Sequence, residues 1–189
     1  MEHFAIMQAG LTGQLPSELG LLTQMTWLNL GKNKLTGMVP SEYGLLSSLS
    51  AMWIPENSLT GKIPPEFGVG ELQKITTLHL FTNHLSGPIP TEIYHLTKLT
   101  SLALSMNELT GSLSTLIGKL TDLNVLSLRS NFLSGTIPVS HLEELTSLTM
   151  LWLENNTFAQ GTFPQSVCSF GLKFDCSDTV CGCDCACPV

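Results

Sequence analysis

Apolar and polar residues alternate over short stretches of this chain, and the stretches recur at a nearly fixed distance. In Met25-Thr26-Trp27-Leu28-Asn29-Leu30-Gly31-Lys32-Asn33-Lys34-Leu35, Leu28 and Leu30 alternate with Trp27, Asn29 and Gly31. Such period-two alternation predicts a short strand with one face buried. The segment Leu11-Thr12-Gly13-Gln14-Leu15-Pro16 returns from Leu35, Leu59, Leu85, Leu109 and Leu133, and in degenerate form from Phe158, at steps of 24, 24, 26, 24, 24 and 25 residues. A repeat of this length means a stack of units, each burying its apolar face against the next. Six parallel strands are therefore predicted, centred near Leu28, Met52, Leu78, Leu102, Leu126 and Leu151, after a truncated one at Phe4-Ala5-Ile6. Function in such a stack belongs to a surface rather than to a catalytic cleft.

Each unit reads L-x-x-L-x-L-x-x-N-x-L and contributes one asparagine to a column: Asn33, Asn57, Asn83, Asn107, Asn131 and Asn156. An amide has both donors and an acceptor, so it can satisfy the peptide groups freed where a strand ends and the chain turns. The second half of each unit, L-[TS]-G-x-[IVL]-P, is followed by an acid at Glu18, Glu42, Glu66 and Glu92. Over about residues 4–167 the chain resembles the plant-type leucine-rich repeat. That family includes receptor-like kinase ectodomains and secreted inhibitors of cell-wall-degrading enzymes. Similar repeats followed by cysteine-rich tails resemble secreted proteins of diatom-like algae. The resemblance implies an α/β fold: a curved, right-handed solenoid with a parallel sheet on the concave face, short helices or 3-10 turns on the convex face, and a second short strand at the Thr-Gly. Three places depart from the pattern. Ser114 replaces the column proline, two extra residues fall near Gly68-Val69-Gly70, and Pro55 is expected to remove one ladder N–H.

The boundaries read as a truncated half repeat over residues 1–10, six repeats over 11–157, and a degenerate last repeat with a cysteine-rich cap over 158–189. The chain begins in mid-repeat, with Ala9 in the asparagine's place, as a piece of a longer protein would. No basic segment followed by an apolar one opens it. Hydrophobic residues make up 43% and charged residues 12%, which argues for a folded core. A net charge of −7 and scattered basic residues disfavour nucleic acid, whose phosphates demand Lys and Arg. No apolar run is long enough to span a bilayer.

Cys168, Cys176, Cys181, Cys183, Cys185 and Cys187 all fall in the last 22 residues. An even count in a terminal segment suggests a disulfide-stapled cap over the apolar end near Phe158, Phe163 and Phe170, and hence an extracellular, secretory or other oxidising compartment. Thiolate metal binding is the rival reading, but the C-x-C spacing of Cys181 to Cys187 departs from the wider C-x₂₋₄-C of zinc sites. No metal or other cofactor is expected, and no phosphate loop or nucleophile elbow points to an enzyme.

The aromatic residues carry the functional signal. Three outward columns of the strands read Trp27, Ala51, Thr77, Ser101, Val125, Met150; then Asn29, Trp53, His79, Ala103, Ser127, Trp152; then Gly31, Pro55, Phe81, Ser105, Arg129, Glu154. Large apolar side chains on an exposed surface are costly unless they meet a partner, and tryptophan is enriched at binding hot spots. A protein or peptide partner is expected on Trp27, Asn29, Trp53, His79, Phe81, Arg129, Met150 and Trp152. Trp53 and Trp152 stand four strand steps apart, ~19 Å at ~4.8 Å per step, with small residues between them. The competing interpretation is that the aromatics shield the sheet or pack on one another. A different class, a structural or ice-binding solenoid, would use the hydroxyl ladders Thr26-Ser50-Thr76-Thr100-Thr149 and Thr12-Thr36-Thr60-Ser86-Thr110-Ser134. His84, His95 and His141 read as solvated, as does the acid column. Asn155-Asn156-Thr157 makes Asn155 a glycosylation candidate.

Overall fold

The computed structural model describes residues 3–159, built as two parallel sheets of seven strands each. Numbered in chain order, the first sheet holds β1 (His3–Ala5), β3 (Trp27–Asn29), β5 (Ala51–Trp53), β7 (Thr77–His79), β9 (Ser101–Ala103), β11 (Val125–Ser127) and β13 (Met150–Trp152). The second holds β2 (Thr12–Gln14), β4 (Lys34–Met38), β6 (Ser58–Gly61), β8 (His84–Pro88), β10 (Glu108–Ser112), β12 (Phe132–Gly135) and β14 (Thr157–Phe158). Short turns close the units: 3-10 helices at Ser17–Leu21, Ser41–Leu45, Thr91–His95 and Thr115–Lys119, and single α turns at Glu66–Val69 and Val139–Leu142. This is a leucine-rich-repeat solenoid. All six strand centres fall where the alternation puts them. The first strand begins one residue earlier than expected, pairing His3 with Trp27 and Ala5 with Asn29. No helix among the described residues is long and apolar enough to cross a membrane. The six cysteines and their expected pairing lie outside the described residues.

One continuous core runs through the stack, from Leu15 and Met25 to Leu151 and Phe158. The asparagine column holds it in register. Asn107 donates from Nδ2 to the carbonyls of Leu104 and Ser105 in its own unit and of Leu80 in the preceding one, at 3.0, 3.2 and 3.0 Å. Its Oδ1 accepts from the Leu85 N–H at 2.9 Å. Asn131 repeats the arrangement on Leu128, Arg129, Leu104 and Leu109. The residue before each asparagine is left-handed without being glycine, as at Lys32 (φ 56), Glu56 (φ 52) and Thr82 (φ 56). That conformation costs ~1–2 kcal/mol per residue, and the amide bonds beside it offset the cost.

The departures from the repeat have physical answers. Pro55 removes nothing from the ladder. Lys32 N–H and Glu56 N–H donate across the sheet to Pro55 O and Phe81 O, while the N–H at the matching position of the previous unit, Gly31, goes to its own Asn29 side chain. The two extra residues of the third unit are absorbed by the α turn at Glu66–Val69, closed by Gly70 N–H to Glu66 O at 2.8 Å. The turns pack so closely that a Cβ on Gly44 would lie 2.6 Å from Glu66 O. In the fourth unit Tyr94 takes this glycine position and is fully buried. Burial pushes its hydroxyl up to about 12, and its oxygen has no hydrogen-bond partner among the described residues. Ser114, where the other units have proline, caps the next turn: its Oγ accepts from Leu116 N–H at 3.2 Å.

Candidate functional site: the outward face of the first sheet

The outward columns bring the expected aromatics into a single row. Parallel pairing sets Asn29 beside Trp53, Trp53 beside His79, and Ser127 beside Trp152. Trp27 meets Trp53 edge-on with centroids 6.2 Å apart, and Trp53 stacks on His79 at 5.2 Å with an interplanar angle of 18°. His79 in turn touches Phe81 at 6.0 Å, and His3 extends the row at Trp27, 5.7 Å away. The aromatics thus do pack on one another. They also remain open: Trp53 is 37% exposed, and Trp27, His79, Phe81 and Trp152 are half-buried.

His79 has no carboxylate beside it. Its Nε2 shares a hydrogen bond of 2.8 Å with Ser101 Oγ, and burial holds its pKa below the ordinary 6.5, so the ring is neutral near pH 7. A neutral ring stacks on Trp53 without stranding a charge. Between this aromatic wall and Trp152 lies a groove of about 480 Å³, floored by Ser101, Ala103, Ser105 and Ser127 and edged by Thr82, Met106, Val125 and Arg129. Ser105 and Ser127 are buried and share a short hydroxyl contact. Arg129 reaches the buried Glu154 at 3.7 Å while its own side chain stays 42% exposed.

Two of the expected partner residues sit differently. Asn29 is buried; its Oδ1 accepts from Gly31 N–H at 3.1 Å and its Nδ2 faces Met7 Sδ, so its amide serves the scaffold. Met150 is half-buried on β13 but does not line the groove. Thr82 and Met106 do line it, and strand periodicity misses them because they occupy the left-handed corner after the strand. His84 is not merely solvated: its Nδ1 lies 3.0 Å from Glu108 Oε1. Asn155 is exposed and left-handed, with Nδ2 3.4 Å from Ser130 Oγ.

The hydroxyl ladders are tied down in part. Ser50, Thr76 and Thr100 donate to the carbonyls of Thr26, Ser50 and Thr76 at 2.8, 3.1 and 3.1 Å. Over the second sheet, a larger hollow of about 720 Å³ is bordered by Gln14, Met38, Lys62 and Ser86 and has no aromatic anchor.

The third and fourth units carry the decisive likeness: residues 74–96 match the leucine-rich-repeat family model. The chain is a leucine-rich-repeat protein. Its fold matches the ectodomain of the Arabidopsis thaliana receptor kinase GASSHO1/SCHENGEN3, solved in complex with Casparian strip integrity factor 2, with a TM-score of 0.79 and 37% identity. The match covers 86% of this chain and 19% of the receptor chain. A plant peptide hormone receptor, RGFR1 in complex with RGF2, matches with a TM-score of 0.69 and 32% identity over 87% of this chain and 30% of the receptor chain. A plant ice-binding protein matches with a TM-score of 0.80 and 27% identity over 92% of this chain and 55% of its own. This leucine-rich-repeat chain therefore spans a fifth to about half of the length of those relatives. No curated protein matches the sequence.

Proposed function

We propose that this leucine-rich-repeat chain is a non-enzymatic recognition module that binds a peptide or an extended protein segment on the outward, concave side of its first sheet. The groove between the His79–Phe81 wall and Trp152 carries this reading. Aromatic anchors framing a floor of small polar residues suit a chain that lies across the strands, with side chains in the anchors and main chain over the floor. Likeness to receptor ectodomains solved with peptide ligands supports the same class.

A random linear nonapeptide library displayed on phage tests it against the full chain. Peptides are expected to be enriched on the parent and lost on Trp152→Ala, while Val69→Ser, on an exposed turn, keeps them. Enrichment that ignores Trp152 and Phe81, or no enrichment, would sink the proposal.

The second reading is an ice-binding or structural solenoid, supported by the likeness to the plant ice-binding protein. Its ladders are less suitable than their sequence suggests, because one row donates to the main chain and the strands beside the other carry Lys34, Met38, His84, Glu108 and Phe132. Thermal hysteresis indistinguishable from a buffer control is the expected result. The module is further proposed to work outside the cell or in another oxidising compartment, with three disulfides among Cys168, Cys176, Cys181, Cys183, Cys185 and Cys187. Intact mass after alkylation without reductant decides between three bridges and six free thiols.

A further inference from the structure

Resting on the peptide reading, the spacing of the groove's walls narrows the ligand. β7, which ends at His79, and β13, which carries Trp152 in the same row, stand three strand steps apart in the sheet. At ~4.8 Å per step that is ~14 Å. An extended chain rises ~3.3 Å per residue, so four residues cover ~13 Å. Side chains alternate across an extended backbone, so residues four apart point to one side and residues three or five apart point to opposite sides. The floor between the walls carries only Ser and Ala side chains on β9, which leaves height for the intervening residues.

Charge adds a second restriction. The groove lining includes Arg129 and no carboxylate, on a chain of net charge −7. The Arg129 contact with Glu154, at 3.7 Å, is longer than a hydrogen bond, and the guanidinium is open enough to accept another partner. Arg129 follows β11, two steps from β7, which is ~10 Å or two to three residues along the ligand.

We infer that the groove selects an extended peptide with two large apolar side chains four residues apart, seated against His79 and Trp152, and a carboxylate two or three residues along from the His79 anchor. The library above reads this directly from its enriched sequences. The expected result is apolar residues at i and i+4 with Asp or Glu between them. Inserting one Gly between the anchors of a synthetic copy should weaken binding at least tenfold by calorimetric titration. Arg129→Gln should erase the acid preference and leave the apolar pair. Enriched peptides that need Trp152 but show another spacing, or tolerate the Gly, would overturn this inference and leave the peptide reading standing. Acid preference that survives Arg129→Gln would overturn the charge assignment. No enrichment would overturn both.

Discussion

The asparagine column and the outward columns of the first sheet have the same spacing and opposite characters. Every position of the first is an amide, and Asn57, Asn83, Asn107, Asn131 and Asn156 each take the N–H of the leucine that ends the preceding unit's motif. In the second, Trp53, His79, Ala103, Ser127 and Trp152 follow one another in a single row. The lesson is that sameness marks the positions the stack needs to exist, because each faces an identical neighbour. Difference is tolerated only where no neighbouring unit imposes the residue.

The strongest way to break that contrast is Asn107→Ala. It strands the carbonyls of Leu80 and Leu104 and the N–H of Leu85 inside the core. Each buried group left unpaired costs ~1–3 kcal/mol, so a loss of ~4 kcal/mol and a melting point lower by ~10 °C are expected from thermal unfolding. Asn33→Ala should cost less, since its partners Ile6 and Ala9 are already exposed. Equal losses at the two sites would contradict the scaffold assignment. Next comes Gly44→Ala, whose Cβ would press on Glu66 O at 2.6 Å. Overpacking of this kind costs ~1–3 kcal/mol, measurable by denaturant titration.

Trp53→Ala sharpens the contrast from the other side. An outward residue taken alone predicts no stability cost, but Trp53 loses contacts with both Trp27 and His79. Aromatic pairs contribute ~0.5–1.5 kcal/mol each, so ~1–3 kcal/mol of stability is expected to go, together with ~30-fold in affinity for a library-selected peptide. Unchanged affinity with lowered stability would make the row scaffold after all. The smallest effect belongs to His79. Its folded pKa lies below 6.5, so the unfolded chain takes up the proton first as pH falls. Its contribution is complete above about 6.5 and is lost on acidification toward the folded pKa. His79→Gln should therefore narrow the difference in melting point between pH 7.5 and 5; an unaltered difference would refute the assignment.

Most of the fold was legible because its determinants are local and repeated. Leu28 and its counterparts declare the strands, and Asn33 and its counterparts declare the corners. The aromatic row was legible as a set of outward positions, but its ring contacts were not, because χ angles decide whether neighbours stack or splay. Asn29 was misread because strand alternation gives the face of a residue and says nothing of an amide folding back on Gly31 N–H. Ser101 as the partner of His79, and Met106 as a wall of the groove, needed the register between strands and the left-handed corner, neither of which one unit reveals.

Tyr94 has a consequence for the convex side. From the first turn to the one holding Glu92 the turns lie glycine to carbonyl, Gly20 on Glu42 O, Gly44 on Glu66 O and Gly68 on Glu92 O, whereas at the next step Tyr94 stands where the others have glycine. Tyr94 is the one turn residue of this column whose ring enters the core, so the back of the molecule carries at that unit a side chain that glycine gives to none of the other turns.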